Sequence, residues 1–247
     1  MKKINIYGIP FDNVTMAEAV ALAEDELQKK GTSVVVTPNA EIAEMCIEDE
    51  TVNQIILSAE IILPDGAGII TAAEILGTPL KEKVAGVEFG MELIRHAEKH
   101  GYSLFFLGGK PSVAETAAER LKETYKNLKI AGTYDGYFEK TGAENDAVIA
   151  EINASGADIL FVCLGAPKQE IFMQNHCGDL NVKMMIGLGG TLDSFAGTVK
   201  RAPRWMIRLN LEWLYRIACE PSRFKRFYDS NVKFIFKIKA MQKDKRA

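Results

Sequence analysis

Two patterns of apolar residues alternate along the chain. Short runs such as SLFFLG (103–108) and ILFVCLG (159–165) are apolar almost throughout. A strand of that composition is buried on both faces, as in a parallel sheet covered by helices. Between such runs, apolar residues recur every three or four positions, the period of a helix with one buried stripe. The first pattern predicts strands at 4–8, 33–37, 61–63, 103–108, 129–134, 159–165 and 183–187. The second predicts helices over 15–30, 88–100, 111–126 and 143–153. Such alternation predicts an α/β protein with a doubly wound, mainly parallel sheet.

In sheets of this kind ligands sit outside the carboxyl ends of the strands. The predicted ends read VVVTPNAE (34–41), IILPDGAG (61–68), FFLGGKPS (105–112), CLGAPKQE (163–170) and IGLGGTLD (186–193). Each apolar run stops in small or polar residues where a helix is expected to begin. Glycine there lets a backbone approach a ligand, and the helix start offers amides to an anion. Five such loops on one rim point to a phosphate-bearing ligand, a nucleotide above all. No GxGxxG follows the first strand, and GGKPS lacks the spacing of a phosphate-binding GxxxxGK[ST] loop. No DxD pair is present to hold a metal between phosphates. Cationic side chains and backbone amides would then neutralise a bound diphosphate.

Asp65 is the one charged residue of IILPDGAGII (61–70). A carboxylate there either caps the following helix or meets a ligand, since desolvating it without a partner is costly. Thr37 and Asn39 are open to a similar pair of readings, polar ligand contacts or turn chemistry after Pro38. Gly108, Gly109, Gly189 and Gly190 fit a backbone cradle for a nucleotide, and tight turns for packing are compatible with that. Gln169 suits either a donor contact or an ordinary first helical turn. Asp193 could grip a sugar or ribose hydroxyl, or cap the next helix. His96 and His100 have metal-ligand spacing on a predicted helix, but no third ligand is visible; cations closing a helix before Gly101 are the favoured reading, and no metal is expected.

Charge divides the chain unevenly. The net charge of −3 over 247 residues conceals a segment, 200–247, with 14 Lys and Arg against 4 Asp and Glu, about +10. Residues 1–199 hold 16 basic and 29 acidic residues, about −13. That body would repel a polyanion. The tail interleaves cations with Trp205, Trp213, Tyr215, Phe224, Phe227, Phe234 and Phe236. It suits a segment lying on an anionic membrane surface, packing on the core or another copy, or nucleic-acid binding. No run is long enough to span a bilayer, and the N-terminus lacks a signal-peptide core. Cys46, Cys163, Cys177 and Cys219 show no CxxC spacing, so a reduced, cytosolic protein is expected.

The chain resembles the WecG/TagA/CpsF glycosyltransferases, bacterial enzymes of cell-surface polymer synthesis, and within them the TagA branch. The matching pieces are TPNAE (37–41), LPDGAGI (63–69), LGGKP (107–111), YDGYF (134–138), LGAPKQE (164–170) and GLGGTLD (187–193). AGTVKRAPRWM (196–206), LEWLYR (211–216) and EPSRFKR (220–226) complete the set. The resemblance implies a Rossmann-like catalytic domain over 1–198 and a helical basic appendage over 199–247. It implies inverting, metal-independent transfer of N-acetylmannosamine from a UDP-sugar donor to a polyprenyl-diphosphate-linked N-acetylglucosamine acceptor, without a cofactor, in making the wall teichoic acid linkage unit. Asp65 stands where the family has its general base, and an aspartate among apolar neighbours suits a base working near neutral pH. Thr37 and Asn39 fall among the family's polar donor contacts. Arg216, Arg223 and Arg226 match its arginine spacing and are expected at a diphosphate, the appendage resting on the inner face of the plasma membrane. The sequence departs from many relatives at Lys83 and Glu88, which stand for Arg and Asp; lysine keeps the charge but loses the bidentate fork. A relative using UDP-N-acetylmannosaminuronic acid and a non-catalytic UDP-binding scaffold are the competing readings. Self-association through the apolar tail, without nucleic acid, is a further expectation.

Overall fold

The computed structural model describes residues 2–199, 202–203, 206, 211–219, 221, 224–225 and 228–244. It opens with strands β1 (Lys3–Ile6) and β2 (Ile9–Asp12), then α1 (Met16–Leu27), β3 (Ser33–Val36), α2 (Ala40–Glu48), α3 (Glu50–Leu57) and β4 (Ile61–Ile62). There follow α4 (Gly66–Ile75), α5 (Gly86–His100), β5 (Ser103–Gly108), α6 (Val113–Thr124), β6 (Lys129–Tyr134) and α7 (Gly142–Ser155). Then come β7 (Ile159–Cys163), α8 (Lys168–His176), β8 (Met184–Gly187) and α9 (Thr191–Ala196). Helix α10 (Glu212–Cys219), a π-helical turn (Tyr228–Val232) and α11 (Lys233–Asp244) close the chain.

Six strands form one parallel sheet in the order β4-β3-β8-β7-β5-β6. Strand periodicity sends alternate residues to opposite faces. Leu104, Phe106, Ile159, Phe161, Met184 and Ile186 face α1, α5, α6 and α9. Phe105, Leu107, Leu160, Val162 and Met185 face α2, α3, α4, α7, α8 and α11. The central strands are buried on both sides, as their unbroken apolar composition requires. Local signals set the helix ends. Thr15 and Glu18 form a reciprocal capping box at the start of α1, and Gly101 closes α5 in the left-handed conformation.

Two sequence expectations change. The strand predicted at 4–8 lies outside the parallel sheet; β1 pairs antiparallel with β2 around a turn in which Tyr7 and Gly8 both have positive φ. KINI alternates exposed and buried residues, the mark of a hairpin with one wet face, unlike the apolar strands of the sheet. Asp12 ties this hairpin down: its Oδ2 accepts the Ile62 N–H at 2.9 Å and the Lys3 ammonium at 3.2 Å.

The second concerns the apolar run at the end of the chain. Phe234 and Ile238, read as part of a surface-lying segment, are fully buried and join the same cluster as Val36, Ile69 and Ala72. Tyr7 meets Phe234 edge to face, and Lys237 pairs with Glu44. A four-residue spacing puts Phe234 and Ile238 on one stripe of α11, and burying that stripe anchors the helix to α4. The core therefore continues across residue 198. Lys233, Phe236 and Lys239 occupy the opposite, exposed face of α11.

Candidate active site

All six parallel strands deliver their carboxyl ends to one rim. One strand in from its edge β3 leads into Thr37, whose buried hydroxyl donates to the Gly187 carbonyl at the end of β8 at 3.2 Å. The adjacent edge strand, β4, runs out through Pro64 into Asp65. Asp65 occupies the N-cap position of α4 with extended backbone, yet its side chain makes no cap hydrogen bond to that helix. Its Oδ2 accepts the Gly86 N–H at the start of α5 instead, at 3.3 Å. Its own N–H donates to the Pro38 carbonyl at 3.3 Å. The residue is thereby held between two loops, half-buried.

Gly86 makes this arrangement possible. A methyl group on its α-carbon would lie 3.0 Å from Thr37 Oγ1 and 3.6 Å from Asp65 Oδ2. The absence of a side chain lets the N-terminus of α5 come up against both residues. Sequence reasoning missed Gly86; the signal was a glycine opening an apolar helix in VAGVEF. The Val84 N–H donates to the Pro64 carbonyl at 2.9 Å, which lays the segment carrying Lys83 alongside the Asp65 loop.

Asn39 realises the turn chemistry read from its sequence. It is the N-cap of α2, its Oδ1 accepting the Glu41 and Ile42 amides at 2.9 and 3.1 Å. Gln169 is a buried strut: Oε1 accepts the Gly189 N–H at 2.8 Å, while Nε2 donates to Glu170 Oε1 at 2.8 Å. It couples the β7–α8 loop to the β8–α9 loop. Glu170, also missed, has a buried Oε2 without a hydrogen-bond partner among the described residues. Burial pushes its carboxyl above the ordinary range, against the opposing effect of the Gln169 amide.

The four glycines divide by what their backbones already bond. Gly108 sits where a Cβ would lie 2.2 Å from the Cys163 carbonyl oxygen, so its first requirement is the close approach of β5 to β7. The Gly109 N–H donates to that carbonyl at 3.3 Å, and its own carbonyl accepts the Gly136 N–H at 2.8 Å. The Gly109 and Gly189 amides therefore sit in internal bonds and are not offered to a phosphate in this arrangement. An N–H directed into the fold does not at the same time face a ligand, so these two amides serve packing in this arrangement. Gly190 is the N-cap of α9, and Asp193, rather than capping that helix start, accepts the Thr198 hydroxyl at 3.3 Å. Burial raises the Cys163 thiol to about 12, which keeps it an inert core residue beside the rim.

Arg216 lies in α10, but its side chain is outside the described residues, as are Arg223 and Arg226. His96 and His100 lie toward the far end of α5, about 15 and about 21 Å along the helix from Gly86 at 1.5 Å per residue. They belong to the opposite end of the sheet. The rim is thus organised around Asp65, Thr37, Gly86 and the Gln169 strut.

Comparison with known proteins identifies the family. The profile of the Glycosyl transferase WecG/TagA/CpsF family matches residues 4–247. A protein of Bacillus subtilis (strain 168), named N-acetylglucosaminyldiphosphoundecaprenol N-acetyl-beta-D-mannosaminyltransferase, is 36% identical over 227 residues, covering 92% of this chain and 87% of its own. A protein of the same name from Staphylococcus aureus (strain MRSA252) is 33% identical, covering 99% of this chain and 96% of its own. Another from Bacillus spizizenii is 36% identical over 81% of this chain and 76% of its own. A rim of parallel strand ends without a dinucleotide or ATP-binding loop, matched over nearly its whole length, makes this chain a glycosyltransferase of the WecG/TagA/CpsF family.

Proposed function

We propose that the protein moves N-acetylmannosamine from UDP to the 4-hydroxyl of N-acetylglucosaminyldiphosphoundecaprenol, with inversion and with Asp65 as general base. The acceptor oxygen attacks the anomeric carbon from the face opposite UDP. The new C–O bond forms as the bond to the β-phosphate oxygen breaks, the hydroxyl proton passes to the Asp65 carboxylate, and UDP leaves. A positioned base of this kind contributes typically about 10²–10⁴ in rate. The names of the relatives support donor and acceptor. The observation that carries the assignment of the base is Asp65 itself, a rim carboxylate at a helix start that does not cap its own helix. The lack of a DxD pair supports metal-independent chemistry, with Lys83, Arg216, Arg223 and Arg226 as the cations for the diphosphates.

The basic C-terminal segment rests on the inner, cytoplasmic face of the membrane in this reading. Trp213, Leu214, Phe224, Tyr228 and Phe236 expose apolar surface, and Phe236 stands between Lys233 and Lys239 at three-residue spacing. Aromatics among lysines suit an interfacial segment over anionic headgroups. Among the described residues no helix is long and apolar enough to cross a membrane. The same exposed apolar residues would support self-association away from lipid.

Product formation followed by mass spectrometry tests the proposal. Purified protein is supplied with the lipid-diphosphate-N-acetylglucosamine acceptor, UDP-N-acetylmannosamine and excess EDTA, with Asp65→Asn alongside. Disaccharide from the wild type alone, with UDP binding retained in the variant, is the expected result. Turnover by Asp65→Asn refutes the base, inhibition by EDTA refutes metal independence, and product only from a uronic-acid donor moves the assignment to another donor.

A further inference from the structure

At the amino ends of the strands, far from Asp65, α1 and α5 bring together three side chains with no part in the transfer. His96 Nε2 lies 2.6 Å from Glu24 Oε2. His100, one turn further along α5, stacks on His96 with ring centroids 4.2 Å apart and planes inclined by 22°. One donor atom from each of Glu24, His96 and His100 falls within 4.8 Å of the other two. The third ligand absent from the sequence pattern is thus a glutamate 72 residues before His96.

We infer that Glu24, His96 and His100 form a binding site for a divalent transition metal ion of the zinc class, pinning α1 to α5. The donor set, two imidazoles and one carboxylate, is the kind that borderline first-row cations take. Metal–ligand bonds of about 2.0–2.2 Å require donors within about 4.2 Å of each other. The Glu24–His96 separation lies inside that limit and all three donors lie within 4.8 Å of one another, so binding requires only a small inward rotation of exposed His100.

The carboxylate is also held from behind. Glu24 Oε1 accepts the Tyr102 hydroxyl at 3.0 Å and the Gln28 amide at 2.8 Å, which leaves Oε2 facing the imidazoles. Oriented carboxylates of this kind are what metal sites use to fix ligand geometry. Burial opposes charge on Glu24, but the bonds from His96, Tyr102 and Gln28 outweigh it and hold the carboxyl below the ordinary range. The nearby Lys183 ammonium, 5.3 Å from the Tyr102 ring centre, is paired with Asp158 at 3.0 Å. Three protein ligands leave a fourth position on the side of exposed His100 for solvent.

The test is a calorimetric titration of the full chain with Zn²⁺, with Cys177 and Cys219 changed to Ser so that exposed thiolates do not contribute. One equivalent bound is expected, weakened at least tenfold by His100→Ala and by Glu24→Gln. A rise in melting temperature of about 5–10 °C at a hundredfold excess over Kd is expected in the background protein and not in His100→Ala. His100 is exposed, so its removal leaves the fold intact, which circular dichroism checks. Absence of binding at 0.1 mM Zn²⁺ (about the scale of adventitious surface histidines) overturns the site, as does equal affinity in the His100→Ala protein. Retained transfer in EDTA together with zinc binding separates this site from the chemistry at Asp65.

Discussion

Substituting Gly86 by Ala separates the geometry of the rim from the stability of the fold. Gly→Ala at a position with compatible backbone stabilises by about 0.4–1 kcal/mol, chiefly by restricting the unfolded chain. Against this, the new methyl lies 3.0 Å from Thr37 Oγ1, about 0.4 Å inside ordinary contact. Thr37 can retreat only by stretching its 3.2 Å bond to the Gly187 carbonyl, worth about 1 kcal/mol. The two effects nearly cancel, so the melting temperature moves by no more than about 2–4 °C. Catalysis has no such compensation. The same methyl crowds Asp65 Oδ2 at 3.6 Å and shifts Thr37 and the start of α5 by a few tenths of an ångström. If a 1 Å misplacement costs about 10²-fold, a shift of about 0.4 Å costs about five- to tenfold in kcat. Steady-state transfer kinetics beside a urea titration read both quantities. Unchanged kcat with unchanged stability refutes the claim that Gly86 positions the base. A destabilisation above about 3 kcal/mol refutes the energetic comparison instead.

Four other substitutions address three parts of the molecule. Phe234→Ala should destabilise the whole fold by about 3–5 kcal/mol in urea denaturation, because Phe234 is fully buried between α11 and the body; Phe236→Ala, 65% exposed, should stay within about 0.5 kcal/mol. Equal effects would mean that α11 is not part of the core. Gly187→Ala would set a methyl 2.9 Å from Gln169 Nε2 and 3.0 Å from Met173 Cε, so about 1–3 kcal/mol of overpacking and weaker UDP binding by calorimetry are expected together. Wild-type UDP affinity in that variant would exclude Gln169 from the donor site. At the other end of the sheet, burial opposes ionisation of Asp158, but the Ser103 N–H, Lys183 and the Ser103 hydroxyl outweigh it and hold its pKa below the ordinary value. A depressed folded pKa contributes stability that is present above the unfolded value of about 4 and lost as pH falls through the folded one. Asp158→Asn should therefore be less stable than wild type at pH 6 and converge with it in acid, and a constant difference in urea midpoint across that range would refute the linkage.

What the sequence determined by itself was whatever depends on neighbours along the chain. The period of apolar residues identified strands buried on both faces and hence the parallel sheet, since a two-sided burial requirement is written locally in SLFFLG and ILFVC. Glycine and polar residues at the strand ends marked the rim, and Asp65 stood out there because a lone carboxylate among isoleucines demands a partner. Whether Asp65 would cap α4 could not be read from the chain, because the Gly86 amide that receives its carboxylate is 21 residues away. The same limit hid Gln169 as a strut to Gly189, and Glu24 as a companion to His96. Lysines around Phe234 and Ile238 disguised a core stripe as a surface segment, since a stripe reveals its partner only once α4 is packed against it. Composition and periodicity say which faces must be covered; only the folded chain decides which distant residue covers them, because that choice rests on contacts between residues far apart in sequence.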